Sequence, residues 1–253
     1  MRCVTLSHPE RYRAARRDSQ LVVLEGFHAL KHALRFGAEV VDAVASDVAA
    51  IEKLSEALAP ELTSSIAGLI VEVSPGVLTD CAPRPTRTGV LAIARRPAGD
   101  LQALLDDARP APIVLLEDPR TMGNLGACIR VAAAADAAGV LTTGDADPWN
   151  ADAVRGAAGL HYALPVLHIA EQPPTDRPLI ALDPDGTDLA PSSLPPRAIL
   201  AFGTERHGLS DDLLARADQR IRIPMRPGVS SLNLATAVAA VLFSQRATAP
   251  AND

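Results

Sequence analysis

The second half of this chain is punctuated by short, continuous apolar runs with helical stretches between them, and this rhythm restricts the fold more than any other feature. Runs at residues 112–116, 164–167, 179–182, 199–202 and 221–223 each suit one strand and are too short for a helix. Strands that are apolar throughout, rather than alternating, are buried on both faces, as in a parallel sheet covered by helices. Helical stretches at 151–158 and 232–245 supply such covers. The spacing therefore predicts an α/β class with a mostly parallel sheet. Ahead of it, SQLVVLEGFHALKHALRFGAEVVDAVASD reads as strand, helix, strand, with helical spacing over Phe27, Leu30 and Leu34 and a stop at Gly37. A helix over 48–59, strands at 69–73 and 89–94, and a turn at Pro75 and Gly76 complete a smaller α/β unit. The stretch RRPAGD at 95–100 combines charge, Pro and Gly, so the domain boundary is placed there, giving domains at 1–98 and 99–253.

Charge is distributed unevenly. The net charge is -6, yet residues 1–36 hold seven bases (Arg2, Arg11, Arg13, Arg16, Arg17, Lys31, Arg35) against the acids Glu10, Asp18 and Glu25. A basic arm on an acidic body can seat a phosphate backbone, because association responds to the local field; a solvated Arg-rich helix face fits the charge equally well. Aromatic residues make up 3%, which excludes a surface built on ladders of stacked rings. Cys3, Cys81 and Cys128 form no C-x-x-C pair and no cluster with His, so neither structural zinc nor a disulfide framework is expected. The leading residues lack the apolar core of a secretory signal, and no apolar run reaches the ~18 residues that span a bilayer. Cytoplasm is the expected compartment, with no membrane partner and no metal.

Three patches carry candidate chemistry. The loop at 118–126 lies between a parallel strand and a helix, where open α/β sheets bind ligands. Gly123 and Gly126 permit close backbone approach, Asn124 offers a donor and an acceptor, and Arg130 follows Gly126 by one helical turn. Its spacing is neither G-x-G-x-x-G nor a phosphate-binding loop. In ILAFGTERHGLSDDLL, a buried strand ends at Phe202, Gly203 releases the backbone and Glu205 brings a charge that a simple turn does not need. Ser210 before Asp211 and Asp212 reads as a helix cap, and His207 as a loop histidine. In IPMRPGVSSLNLATAVAAVLFSQ, a Pro and Gly loop leads through Ser231 to an Ala-rich helix that Ser231 can cap. Asn233, inside the first turn, is left unexplained by capping.

In order and spacing the three patches resemble the motifs of the SpoU (TrmH-like) branch of the SPOUT RNA methyltransferases: N-x-G-x-x-x-R at Asn124, Gly126 and Arg130; G-x-E then G-L at Gly203, Glu205, Gly208 and Leu209; I-P-M then S-L-N at Ile223, Pro224, Met225, Ser231, Leu232 and Asn233. Many relatives have D-P-x-N-x-G, whereas EDPRTMGNLG places three more residues between Asp118 and Asn124, so a longer loop is expected. RYRAARRDSQLVVLEGFHALKHAL and TGVLAIARRP look like the ribosomal-protein-like domain that precedes many such catalytic domains.

The resemblance implies a trefoil-knotted C-terminal domain and a homodimer formed through it. It also implies S-adenosylmethionine bound among Leu200, Phe202, Gly203, Ile223, Met225 and Leu232, and transfer of its methyl group to a ribose 2′-hydroxyl. Arg130 would orient phosphate and stabilise the developing alkoxide, with proton uptake by the arginine as the alternative. Asn124 and Ser231 would position ribose or phosphate, while Glu205 and Asn233 would hold the loops. Arg11, Arg13, Arg16 and Arg17 would grip RNA backbone. Ribosomal RNA is the first expectation for the substrate and transfer RNA the second. The competing readings are an RNA-binding module without turnover and an enzyme of another class, such as a small-molecule methyltransferase.

Overall fold

The computed structural model describes residues 6–190, 194–204 and 207–246. The chain divides into two compact units, residues 1–98 with 149–163, and residues 99–148 with 164–253. Helix 151–158, assigned by its position in the sequence to the second domain, belongs to the first unit.

In the first unit, α1 (His8–Ala15) leads into β1 (Leu21–Glu25), α2 (Phe27–Arg35) and β2 (Val40–Ala45). Then come α3 (Val48–Leu58), α4 (Thr63–Leu69), β3 (Ile70–Glu72), α5 (Pro75–Cys81) and β4 (Val90–Arg95). The strands form a mixed sheet in the order β1-β4-β2-β3, with only β2 and β3 parallel. Tyr12 and Ala15 of α1 and Leu78 and Cys81 of α5 pack on Val23, Val44, Leu91 and Ile93 of the sheet. Pro75 and Gly76 open α5 instead of making a turn: Ser74 caps the helix by accepting from the Val77 N–H, and Pro75 fills the first helical position, where its missing N–H costs nothing.

The second unit runs α6 (Leu101–Asp106), β5 (Ile113–Leu116), α7 (Met122–Ala134) and β6 (Gly139–Thr142). The chain then supplies α8 (Ala151–Gly156) to the first unit before β7 (Val166–His168), β8 (Leu179–Asp188) and β9 (Ile199–Phe202). It finishes with α9 (Asp211–Arg216), β10 (Gln219–Arg222) and α10 (Leu234–Arg246). Six strands form one parallel sheet in the order β10-β8-β9-β5-β6-β7. Every residue of β5, β6 and β9 is buried, as their unbroken apolar runs require. One face packs Ile113, Leu115, Ile199 and Ala201 against Leu104 and Leu105 of α6 and Leu213 of α9. Pleating turns Val114, Leu116, Leu200 and Phe202 to the other face.

Two buried side chains organise these units. Glu25 accepts from Arg16 at 3.1 Å and from Arg155 of α8 at 2.8 Å, which pairs its buried charge and fastens α8 within the first unit. Arg177 of the second unit is 2% exposed, and its guanidinium donates to five carbonyls: Leu104, Leu105, Asp107, Ala111 and Arg197. These acceptors belong to the end of α6 and to the segments entering β5 and β9, so one cation ties the amino ends of the strands together. Burial, with Arg197 alongside, lowers its pKa from the ordinary arginine value.

Among the described residues, no helix is long and apolar enough to cross a membrane. No group of three or more His, Cys, Asp or Glu among them is placed to hold a metal ion.

Candidate active site

The carboxyl ends of β5 and β9 lie side by side, with Leu116 opposite Phe202 and the Glu117 N–H donating to the Phe202 carbonyl at 3.0 Å. Beyond them the chain turns sharply. Thr204 and Gly208 exchange both backbone hydrogen bonds, at 3.1 and 3.0 Å, and the His207 N–H donates to Thr204 Oγ1. The turn passes so close to Gly203 that a Cβ there would lie 2.0 Å from the Gly208 carbonyl carbon; only glycine fits.

On the neighbouring strand the ladder is interrupted. Arg220 pairs with Ala181, but Ile221 pairs with Thr187, so residues 182–186 of β8 bulge out of register. Gly186 lets the bulge return to β10, because a Cβ there would lie 2.5 Å from the Arg220 carbonyl carbon and the Ile221 nitrogen.

Bulge and turn, together with the segments after β10, enclose a cavity of about 580 Å³. Its wall includes Leu182 and Asp183 of the bulge, Phe202 to Thr204 and His207 to Leu209 of the turn, Ile223 and Met225 after β10, and Ser230 to Leu232 before α10. The volume suits a small molecule, and the lining is mainly apolar with a few polar groups.

Of the residues expected to hold a cofactor, Phe202, Gly203, Ile223, Met225 and Leu232 line this cavity. Leu200 does not. It is 0% exposed in the middle of β9, and two residues of strand place it about 7 Å below Phe202, inside the core.

Asn124 and Asn233 meet: Asn233 Nδ2 donates to Asn124 Oδ1 at 3.2 Å, joining the first and third motifs across 109 residues. Asn233 is the cap of α10, accepting from the N–H groups of Ala235 and Thr236, which displaces Ser231 from the capping role and Asn233 from the first turn. Ser231 is exposed in the cavity wall. Arg130 is exposed on α7 and is not part of that wall; six residues of helix carry its Cα about 9 Å along the axis from Asn124. Glu205 lies outside the described residues.

The start of α7 also corrects the expected loop. Thr121 is the N-cap, so Thr121, Met122, Gly123 and Asn124 keep the spacing of D-P-x-N, with Thr and Met in place of Asp and Pro. Asp118 and Pro119 belong to the preceding turn. There Asp118 adopts a left-handed φ of 46°, donates its N–H to Thr143 Oγ1 and pairs with Arg120.

In the first unit, Arg16 is held by Glu25 and by the carbonyls of Tyr12 and Cys81, with its side chain 20% exposed. That arrangement engages its guanidinium within the unit. Arg11 pairs with buried Asp42 at 2.9 Å, whereas Arg13 and Arg17 are exposed.

Sequence reasoning missed two features. The bulge was signalled by DPDG at 183–186, turn residues cutting off an apolar run. Glu117 is a charged residue immediately after an apolar strand, the signal that singled out Glu205. Its carboxylate accepts from the Ser210 N–H at 2.7 Å and from Ser210 Oγ at 2.6 Å, and Ser210 caps α9 by accepting from the Leu213 N–H.

A six-stranded parallel sheet with its cavity beyond the carboxyl ends defines a ligand-binding α/β protein. Residues 111–243 match the SpoU rRNA methylase family, and the chain belongs to that family. It is 30% identical over 234 residues to the 23S rRNA (guanosine-2′-O-)-methyltransferase RlmB of Bordetella pertussis, covering 87% of this chain and 95% of that protein. It is 35% identical over 140 residues to an uncharacterised tRNA/rRNA methyltransferase of Synechocystis, covering 52% of this chain and 50% of the relative. The chain thus spans about half the length of that relative. The crystal structure of the SpoU methyltransferase AviRb from Streptomyces viridochromogenes, in complex with AdoMet, superposes with a TM-score of 0.78 over 97% of this chain and 100% of that one; at 24% identity the likeness speaks to the fold.

Proposed function

We propose that this protein transfers a methyl group from S-adenosylmethionine to a ribose 2′-hydroxyl of structured RNA, with ribosomal RNA the first substrate to test. The observation that carries the reading is the convergence of the motifs. The second and third wall one cavity, and the first is bonded to the third through Asn124 and Asn233.

The residues present fit the cofactor. Backbone groups of residues 203, 204, 207 and 208 and of residues 223–225 can hydrogen-bond the adenine and ribose, while Phe202, Ile223 and Leu232 provide apolar contact. The bound sulfonium supplies an activated methyl group. The chain's own part is to fix the attacking oxygen in line and to stabilise the charge it develops. Asn124 and Ser231 position ribose or phosphate, and Arg130 orients phosphate and stabilises the alkoxide. Glu205 and Asn233 hold the loops.

Because Arg130 lies off the cavity wall of its own chain, the reading places it over the cavity of a second copy, in a homodimer formed through a trefoil-knotted second unit. The first unit holds RNA backbone through Arg13 and Arg17, with Arg11 at the margin. The protein works in the cytoplasm and needs no metal.

Titration calorimetry with S-adenosylmethionine and a methyl-transfer assay on ribosomal and transfer RNA test this reading. Arg130→Ala is expected to reduce turnover at least 100-fold while leaving cofactor affinity within about twofold, as for loss of a transition-state donor. Weakened cofactor binding with unchanged turnover would overturn the role given to Arg130. Cofactor binding without transfer to either RNA would favour an RNA-binding module or an enzyme of another class.

A further inference from the structure

We infer that Glu117 is a positioning residue that sets cofactor affinity by tying residues 202–204, at the end of β9, to residues 207–210, at the start of α9. The inference rests on the reading of the cavity as the S-adenosylmethionine site. Glu117 does not line the cavity, yet it holds the segment that does. Its N–H donates to the carbonyl of Phe202, where the segment leaves β9. Its two carboxylate oxygens accept from the N–H and Oγ–H of Ser210, where the segment enters α9. One residue, through backbone and side chain, thus ties the beginning of the segment to its end.

Between these ties the described residues Gly203, Thr204, His207, Gly208 and Leu209 all face the cavity. Among the described residues their internal fastening includes the Thr204 and Gly208 bridge and the His207 N–H to Thr204 Oγ1 bond, while Gly203 and Gly208 contribute no side chains. A segment rich in glycine is costly to order, so an anchor at its far end lowers the entropy that ligand binding would otherwise remove. Short hydrogen bonds to an ionised acceptor are the strong kind and suit that purpose. Ser210 transmits the hold further, because its Oγ donates to Glu117 while accepting from the Leu213 N–H. Glu117 therefore acts through the chain and not on the substrate.

Glu117→Ala and Glu117→Gln in the full chain test this inference. Cofactor Kd and KM are expected to rise about tenfold or more in the alanine variant, the loss expected from removing charge-assisted hydrogen bonds, with kcat at saturating cofactor and KM for RNA within about twofold. Glutamine retains one acceptor oxygen and should restore part of the affinity. Hydrogen exchange of the unliganded protein provides a second readout: amides 203, 204 and 207–210 should exchange faster in the alanine variant, while those of Leu200 and Ala201 keep their protection. A Kd equal to wild type, or unchanged exchange in the segment, overturns the inference. A fall in kcat without a rise in cofactor KM overturns it as well and makes Glu117 part of the chemistry. Wild-type protein that gives no heat with S-adenosylmethionine overturns the parent reading instead, and the exchange experiment still decides whether Glu117 closes the segment.

Discussion

From β5 through β6 to β7 the parallel register runs without a break, whereas from β9 through β8 to β10 it jumps by several residues at Arg220 and Ile221. The cavity is lined entirely from the second side. A ladder in register commits its N–H and C=O groups to neighbouring strands. Where it is interrupted, as at residues 182–186, or ends beyond β9, as at residues 203, 204, 207 and 208, backbone groups can face a ligand instead. The regular half is scaffold for the cavity and the irregular half is its wall. The two therefore need different fastening, and the irregular half is held at the ends of its strands remote from the cavity.

Arg177 provides much of that fastening, and its removal is the harshest way to break the contrast. Arg177→Ala removes a donor from five buried or part-buried carbonyls, of which Leu105 and Asp107 keep Arg197 and Leu104 keeps the Asp107 N–H, and is expected to cost about 3–5 kcal/mol of stability. The thermal midpoint should fall by on the order of 10 °C in a calorimetric scan. Arg177→Lys retains the charge but offers three donors on a point charge, so its loss should be smaller and not absent. A midpoint unchanged in Arg177→Ala would mean that the strands entering β5, β8 and β9 hold together without the guanidinium.

At the other end of the same strands, Gly203→Ala attacks the site directly. The added Cβ would lie 2.0 Å from the Gly208 carbonyl carbon and 2.3 Å from the Leu209 nitrogen, both backbone atoms that cannot rotate away. The turn must shift, at a cost of about 1–3 kcal/mol in stability, as for an overpacked core. Cofactor affinity should fall more steeply than stability, because the moved atoms form the cavity wall. Calorimetric titration beside a thermal scan separates the two effects, and a variant that binds as wild type would show that the close approach at Gly203 is not needed for the site.

The same division governs what could be read from the sequence. Continuous apolar runs announced β5, β9 and the parallel sheet, because burial on both faces leaves a local signature. Motif residues with fixed spacing announced part of the cavity wall, including Gly203, Gly208, Ile223 and Met225. What escaped depends on partners distant in sequence. Arg177 sits in PPTDRPLI with no pattern around it, and its five acceptors lie 20 to 73 residues away. Glu25 finds Arg155 across 130 residues, so nothing local showed that α8 leaves the second unit for the first. Leu200 was misplaced for the opposite reason. Its apolar run was correctly identified as a strand, but a strand deep in a sheet offers a ligand only its end. The arginines in and just after α1 look alike as sequence, and only the positions of Glu25 and Asp42 separate paired Arg16 and Arg11 from exposed Arg13 and Arg17.

The gentlest test concerns the regular half. Gly123 stands in the first turn of α7, on the connection from β5 to β6, and a Cβ there would meet nothing within 4 Å. Glycine in a helix carries more chain entropy to lose on folding than alanine does, with no compensating contact at this position. Gly123→Ala is therefore expected to raise stability by up to about 1 kcal/mol, a shift of roughly 2–4 °C in the thermal midpoint. Cofactor affinity should stay within about twofold of wild type, since the variant leaves the cavity wall untouched. Paired with Gly203→Ala, the same chemical change made on the two sides of the sheet should carry opposite signs. Destabilisation by Gly123→Ala would show that the start of α7 is as tightly constrained as the turn after β9, and the contrast between scaffold and site would fail there.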